Sequence, residues 1–259
     1  MLSSRCSPVR IGFLAVALAP LAQAGNVLRV GPGQPFADVQ SAVNAASSGD
    51  FVRVEPGLYP PFVVDGKELS IVAAGASFKL VGTSGQPELT VQNVPAGRTV
   101  TIHGVHIDFD DNLAPAVLVA NNAGAVRLSA LVVTELSNLF DTPLTAVMRV
   151  EDTATFWLLD SEVWSDTARL GNTLNPLCVG VRCNDGVSAL EVENSRGALQ
   201  NVRLRGYQND YLALGSGGDG LRALGDTHLR LFESSSGRRS YFAGGNGVFG
   251  GMAVHQVRT

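Results

Sequence analysis

Lysine is almost missing from this chain, with Lys67 and Lys79 the only two, and charged residues of all kinds make up 16% of the sequence. Acids outnumber bases 23 to 19. A nucleic-acid binder would carry a basic excess clustered on one face, so nucleic acid is not an expected partner. Cysteine is scarce too, at three residues. Cys6 lies in a charged opening stretch without the small-residue context of a lipid attachment site. Cys178 and Cys183 have no histidine near them in the sequence, which leaves a thiol nucleophile or a zinc site without support. Long apolar runs are absent beyond the opening residues, and a helix needs about 20 apolar residues to cross a bilayer. No transmembrane segment is expected in the mature chain.

What is present begins with a leader. Arg5 and Arg10 flank the start of an apolar run from Ile11 to Leu21, and Ala22-Gln23-Ala24 supplies the small-x-small pattern of a cleavage site. Residues 1–24 therefore read as a signal peptide, with a mature chain starting near Gly25 that is secreted or periplasmic. Cleavage removes two arginines and no acid, so the mature chain is more acidic than the −4 of the full sequence. An oxidising compartment would allow a Cys178–Cys183 disulfide, and two free thiols are the alternative.

One segment has helical periodicity. Phe36, Val39, Val43 and Ala46 recur at three and four, Pro35 suits a first turn, and Ser47-Ser48-Gly49-Asp50 ends the pattern, which predicts a helix over about 36–46. Phe51 to Glu55 then alternates like a strand and stops at Pro56-Gly57. Further strand-like pieces centre on Val91, Val117, Val147, Val181, Leu221 and Val248. Four of them precede a second apolar piece across a turn of Asn, Asp or Gly: Val100 to Ile107, Val126 to Val133, Phe156 to Val163, and Leu229 to Phe232. A loose period of this kind marks a solenoid whose repeats bury their faces against neighbours. A β-sandwich is the rival, although it expects strands every 8–12 residues with hairpin turns and gives no reason for a lone leading helix.

The run Val30-Gly31-Pro32-Gly33-Gln34-Pro35-Phe36-Ala37-Asp38-Val39-Gln40-Ser41-Ala42-Val43, followed by Gly49-Asp50, Val52, Val54 and Pro56-Gly57-Leu58-Tyr59, resembles the opening of the pectin-lyase-like right-handed parallel β-helices. The resemblance implies an all-β fold over residues 25–259, a right-handed parallel β-helix with a short N-terminal capping helix covering the first coil. Fold alone does not carry an activity.

Catalytic members of that superfamily act on acidic polysaccharides, but the motifs of its lyases and polygalacturonases do not occur here. Gly206-Tyr207-Gln208-Asn209-Asp210-Tyr211-Leu212 resembles a segment of pectin methylesterases, which makes Gln208 an oxyanion stabiliser and Asp210 a general acid by analogy. An extra Asn separates them, the partner carboxylate lacks its context, and a polar loop between coils fits as well. Asp108 and Asp110 fall on one side of a strand and could share Ca2+, the one cofactor the sequence suggests, or could simply end the strand in an Asp/Asn turn. Asp160, Glu162 and Trp164 alternate onto one face as a possible sugar subsite. Arg203 and Arg205 could grip a uronate carboxylate with Tyr207 nearby, or pair with Glu191 and Glu193.

These features lead to an exported β-helix that binds extracellular polysaccharide or another surface without a recognisable catalytic site. A polysaccharide lyase, esterase or hydrolase with a divergent site is one alternative, and a structural or adhesive coil is the other. The glycine-rich residues Gly244 to Gly251 should fold over the last coil, or that end should self-associate, because an uncovered parallel edge offers free backbone groups.

Overall fold

The computed structural model describes residues 25–82, 85–109, 114–135, 146–165, 187–206, 219–232, 241–243 and 254–256. The leader, Asp110, Cys178, Cys183, Tyr207, Gln208, Asp210 and the glycine-rich stretch 244–251 lie outside those residues. The described chain is nearly all β, and its named strands pair in parallel. The chain visits three faces in turn and then repeats the cycle, each strand pairing with the one a cycle later. The outcome is a solenoid-like stack of parallel sheets.

The first face holds Val27–Val30, Asp50–Val54, Leu69–Ala73, Thr99–His103, the ends of the long strands Val117–Ser129 and Ala146–Leu159, then Arg196–Gln200 and His228–Phe232. The second holds Leu58–Tyr59, Phe78–Val81, Val105–Phe109, Val132–Glu135, Glu162–Trp164, Arg203–Arg205 and Tyr241–Ala243. The third holds Phe62–Asp65, Leu89–Gln92, the starts of the same two long strands, then Ser188–Glu193, Leu221–Leu224 and Val254–Gln256.

Alternation along each strand sends every second side chain into the stack, and in-register pairing lines those side chains up from coil to coil. Val52, Ile71, Ile102, Leu128, Leu158 and Leu199 form one such buried column behind the first face. Val64, Val91, Val119, Val150 and Val192 form another behind the third. Burying each of these side chains is worth roughly 1.5–3 kcal/mol, so every coil is stabilised mainly by its two neighbours. At the far end, Leu231 continues the first column, in register with Leu199, and is 53% exposed.

Two corners turn the chain with a residue at positive φ. Asn93, Asn121, Asp152 and Asn194 stand at the corner from the third face to the first, with φ between 45° and 57°. Asn and Asp tolerate this left-handed conformation better than other non-glycine residues. Just inside this corner the backbone polar groups are satisfied by a buried side-chain ladder. Asn122 Oδ1 accepts from Val94 N at 2.9 Å, its Nδ2 donates to Thr153 Oγ1 at 3.2 Å, and Thr153 N donates to Ser195 Oγ at 2.9 Å.

The helix is Val39–Ala45, shorter than the periodicity predicts. Asp38 is its N-cap, accepting from Ser41 N at 2.7 Å, so the helix cannot begin at Phe36. Phe36 instead makes a strand-like bridge to Val30 and packs half-buried on the core. Val39, Ala42 and Val43 are buried against the first coil, as the apolar stripe requires. The Lys67 ammonium donates to the carbonyls of Val43, Asn44 and Ala46 at 2.8–3.1 Å, satisfying acceptors that a helix end leaves open.

The strand-like pieces around Val181 and Val248 lie outside the described residues. Ser188–Glu193 and Val254–Gln256 are third-face strands that the sequence reading did not name.

Candidate functional site

The second face brings together more of the candidate residues than any other. Register places Lys79, His106, Val132, Glu162 and Arg203 in one outward column. Asp108, Thr134, Trp164 and Arg205 form the column beside it. Neighbouring members of a column stand about 4.8 Å apart. Four candidates far apart in sequence therefore share one surface: Asp108, Trp164, Arg203 and Arg205.

At one end of this surface Asp108 is held by two cationic or imidazole donors. One oxygen takes the Lys79 ammonium, and the other lies 2.9 Å from His106 Nε2. The Lys79 contact, aided by His106, holds the Asp108 carboxyl below its ordinary value against the opposing effect of burial. Both oxygens are thereby engaged within the protein. Among the described residues no cluster of three His, Cys, Asp or Glu side chains is arranged to hold a metal ion.

At the other end, Arg203 Nη1 donates to Glu162 Oε1 at 2.9 Å across adjacent coils. Trp164 is half-buried beside this pair, two residues along from Glu162 and in register with Arg205. Asp160 does not join them. It sits at a corner with φ 48°, and its carboxylate accepts from Asn201 Nδ2 at 2.6 Å, so the strand alternation starts only after it.

Glu191 and Glu193, the alternative partners for Arg203 and Arg205, lie on the third face. There Arg149 reaches Glu151 at 2.9 Å, Glu193 at 3.1 Å and Glu191 at 3.6 Å, while Arg222 reaches Glu191 at 3.4 Å. This network is not legible in one dimension, since its members come from three coils and their meeting depends on register. Lys79 beside Asp108 was hidden for the same reason, whereas His106 stands two residues before Asp108 on one strand.

No family model, no curated protein and no solved structure matches the chain. Among the described residues no helix is long and apolar enough to cross a membrane.

Proposed function

We propose that the chain is an exported right-handed parallel β-helix of the pectin-lyase-like kind, which binds extracellular polysaccharide along its second outer face without turning it over. Right-handedness follows from the general preference of parallel crossovers. The observation that carries the binding reading is the register of Trp164 with Arg205 beside the Glu162–Arg203 pair. A half-buried indole offers an apolar face to a sugar ring, and the flanking charged groups offer hydrogen bonds to its hydroxyls. Export to the periplasm or outside rests on the leader at 1–24. With both Asp108 oxygens occupied, this reading uses no calcium.

Affinity electrophoresis through gels containing a panel of neutral and acidic polysaccharides tests it. At least one polymer should retard the protein, and Trp164→Ala should remove that retardation without changing the melting temperature. Unaltered migration in every polymer, or the lack of any polymer whose retention depends on Trp164, would sink the reading.

A divergent enzyme is the second reading, favoured by one contact. Asp108 orients the His106 imidazole at 2.9 Å, which is how a positioned general base is held. Polymer cleavage or ester release lost in His106→Ala, with binding retained, would select this reading over the first.

A further inference from the structure

The cations of the second and third faces are paired within the protein, but four arginines elsewhere have no acidic partner among the described residues: Arg29, Arg127, Arg196 and Arg230. All four come from strands of the first face. They are exposed. Two corner acids beside this face are engaged, Asp160 by Asn201 and Asp226 by His228. This local basic strip belongs to a chain whose net charge is −4, so it is a property of the face and not of the composition.

Three of the four surround an aromatic ring. Arg127 pairs in register with Trp157, Trp157 with Ala198, and Ala198 with Arg230, which places the indole between two guanidinium groups in one column. Arg196 lies diagonally beside them, two residues before Ala198 on the same side of the sheet. A recess of about 930 Å³ borders this column, lined by Trp157, Arg196 and Arg230 together with the inward-facing Phe156, Leu229 and Leu231.

We propose that this part of the first face is a second glycan-binding site, separate from the one at Trp164, and that it takes a polysaccharide carrying widely spaced carboxylate or sulfate groups. Spacing is the reason for the last clause. Arg127 and Arg230 are three coil steps apart, about 14 Å, with Trp157 and Ala198 between them. An anionic group can meet each guanidinium through paired hydrogen bonds, while the intervening neutral sugar lies on the indole. A polymer charged on every sugar would have to set further carboxylates against Trp157 and Ala198, where no donor awaits them. Nucleic acid fits worse, because its phosphates are closer still and unbroken along the strand.

Microscale binding of the full chain to hyaluronan, charged on alternate sugars, to polygalacturonate, charged on every sugar, and to neutral dextran tests the proposal. Hyaluronan should bind saturably, no more weakly than polygalacturonate, and dextran should not bind at this site. Arg127→Gln combined with Arg230→Gln should weaken hyaluronan binding by about tenfold or more. Trp157→Ala should weaken it as well, whereas the Lys variants at the two arginine positions should keep most of it and Trp164→Ala should leave it unchanged. Hyaluronan binding that survives the double Gln variant, equal binding of dextran, or polygalacturonate binding more than about tenfold tighter would overturn the proposal. So would equal affinity for vesicles of anionic phospholipid, which would indicate a membrane surface instead. Loss of binding in Trp164→Ala with no effect of the arginine variants would leave the second-face reading standing and remove this one.

Discussion

The outer surfaces of the first and third faces use the same pleated geometry and the same coils, yet they treat charge in opposite ways. On the third face Arg149 and Arg222 are tied to Glu151, Glu191 and Glu193, and the Glu191 side chain is 4% exposed. On the first, Arg127, Arg196 and Arg230 project into solvent with no acidic partner among the described residues. A charge removed from water must be matched by its own chain, or folding bears the desolvation cost. A charge left in water costs the fold nothing and remains free for a partner. The difference teaches that ionic residues on this scaffold fall into two populations, one that holds coils together and one that is held in readiness.

Removing Arg149 should separate these populations most sharply. Arg149→Leu takes one of its two arginine contacts from the buried Glu191, leaving the 3.4 Å contact to Arg222 beside two further carboxylates, and should cost about 3 kcal/mol in urea unfolding. Arg127→Gln should stay within about 0.5 kcal/mol of the parent in the same assay. Equal costs for the two would erase the distinction.

Next in size is a test of the inner side of the first face. A Cβ on Gly197 would lie 2.2 Å from the Phe156 ring, so Gly197→Ala must displace that buried ring. A destabilisation of roughly 1–3 kcal/mol is expected, read from the urea midpoint. A neutral result would mean that the first face is loosely packed beneath its arginines, and the contrast with the third face would then be one of order as well as charge.

The smallest effect concerns the second face, which lies between the two extremes with a paired but partly exposed carboxylate. The Asp108 carboxyl titrates below its ordinary value in the folded protein because Lys79 and His106 favour the charged form. Its contribution to stability is therefore present above the unfolded value of about 3.9 and is lost as pH falls through the lower folded value. Melting temperatures from pH 7 down to pH 2 should fall less steeply in Asp108→Asn than in the parent. Parallel curves would show that the Lys79 and His106 contacts do not favour the ionised form.

How much of this could be read in one dimension depends on whether the signal was local. The helix was legible through Val39 and Val43, although its start was set by the Asp38 side chain rather than by Pro35. The corners at Asn93, Asn121 and Asn194 carried recognisable turn residues, whereas Ala130 adopts φ 49° with nothing in its chemistry to announce it. Ser188–Glu193 was missed because its outward residues, Glu191 and Glu193, resemble a polar loop until Arg149 and Arg222 are seen beside them. The alternation of Glu162 with Trp164 and of Arg203 with Arg205 was visible in each segment, but their adjacency needed the register between coils. The arginines around Trp157 were invisible for the same reason, being contributed by separate coils.

Every site described above rests on the in-register stacking of parallel coils, and one distance measures that stacking directly. Arg29, Arg53, Val72, His103, Ser129, Leu159 and Gln200 form a single outward column through successive pairings. Spin labels attached at Arg29→Cys and Gln200→Cys, with Cys6, Cys178 and Cys183 replaced by Ala, would be six coil steps apart. Double electron–electron resonance should then give one narrow distribution centred near 29 Å, six steps of about 4.8 Å. A broad distribution, or a peak shorter than about 20 Å, would contradict the stack and with it the columns that assemble both proposed binding sites.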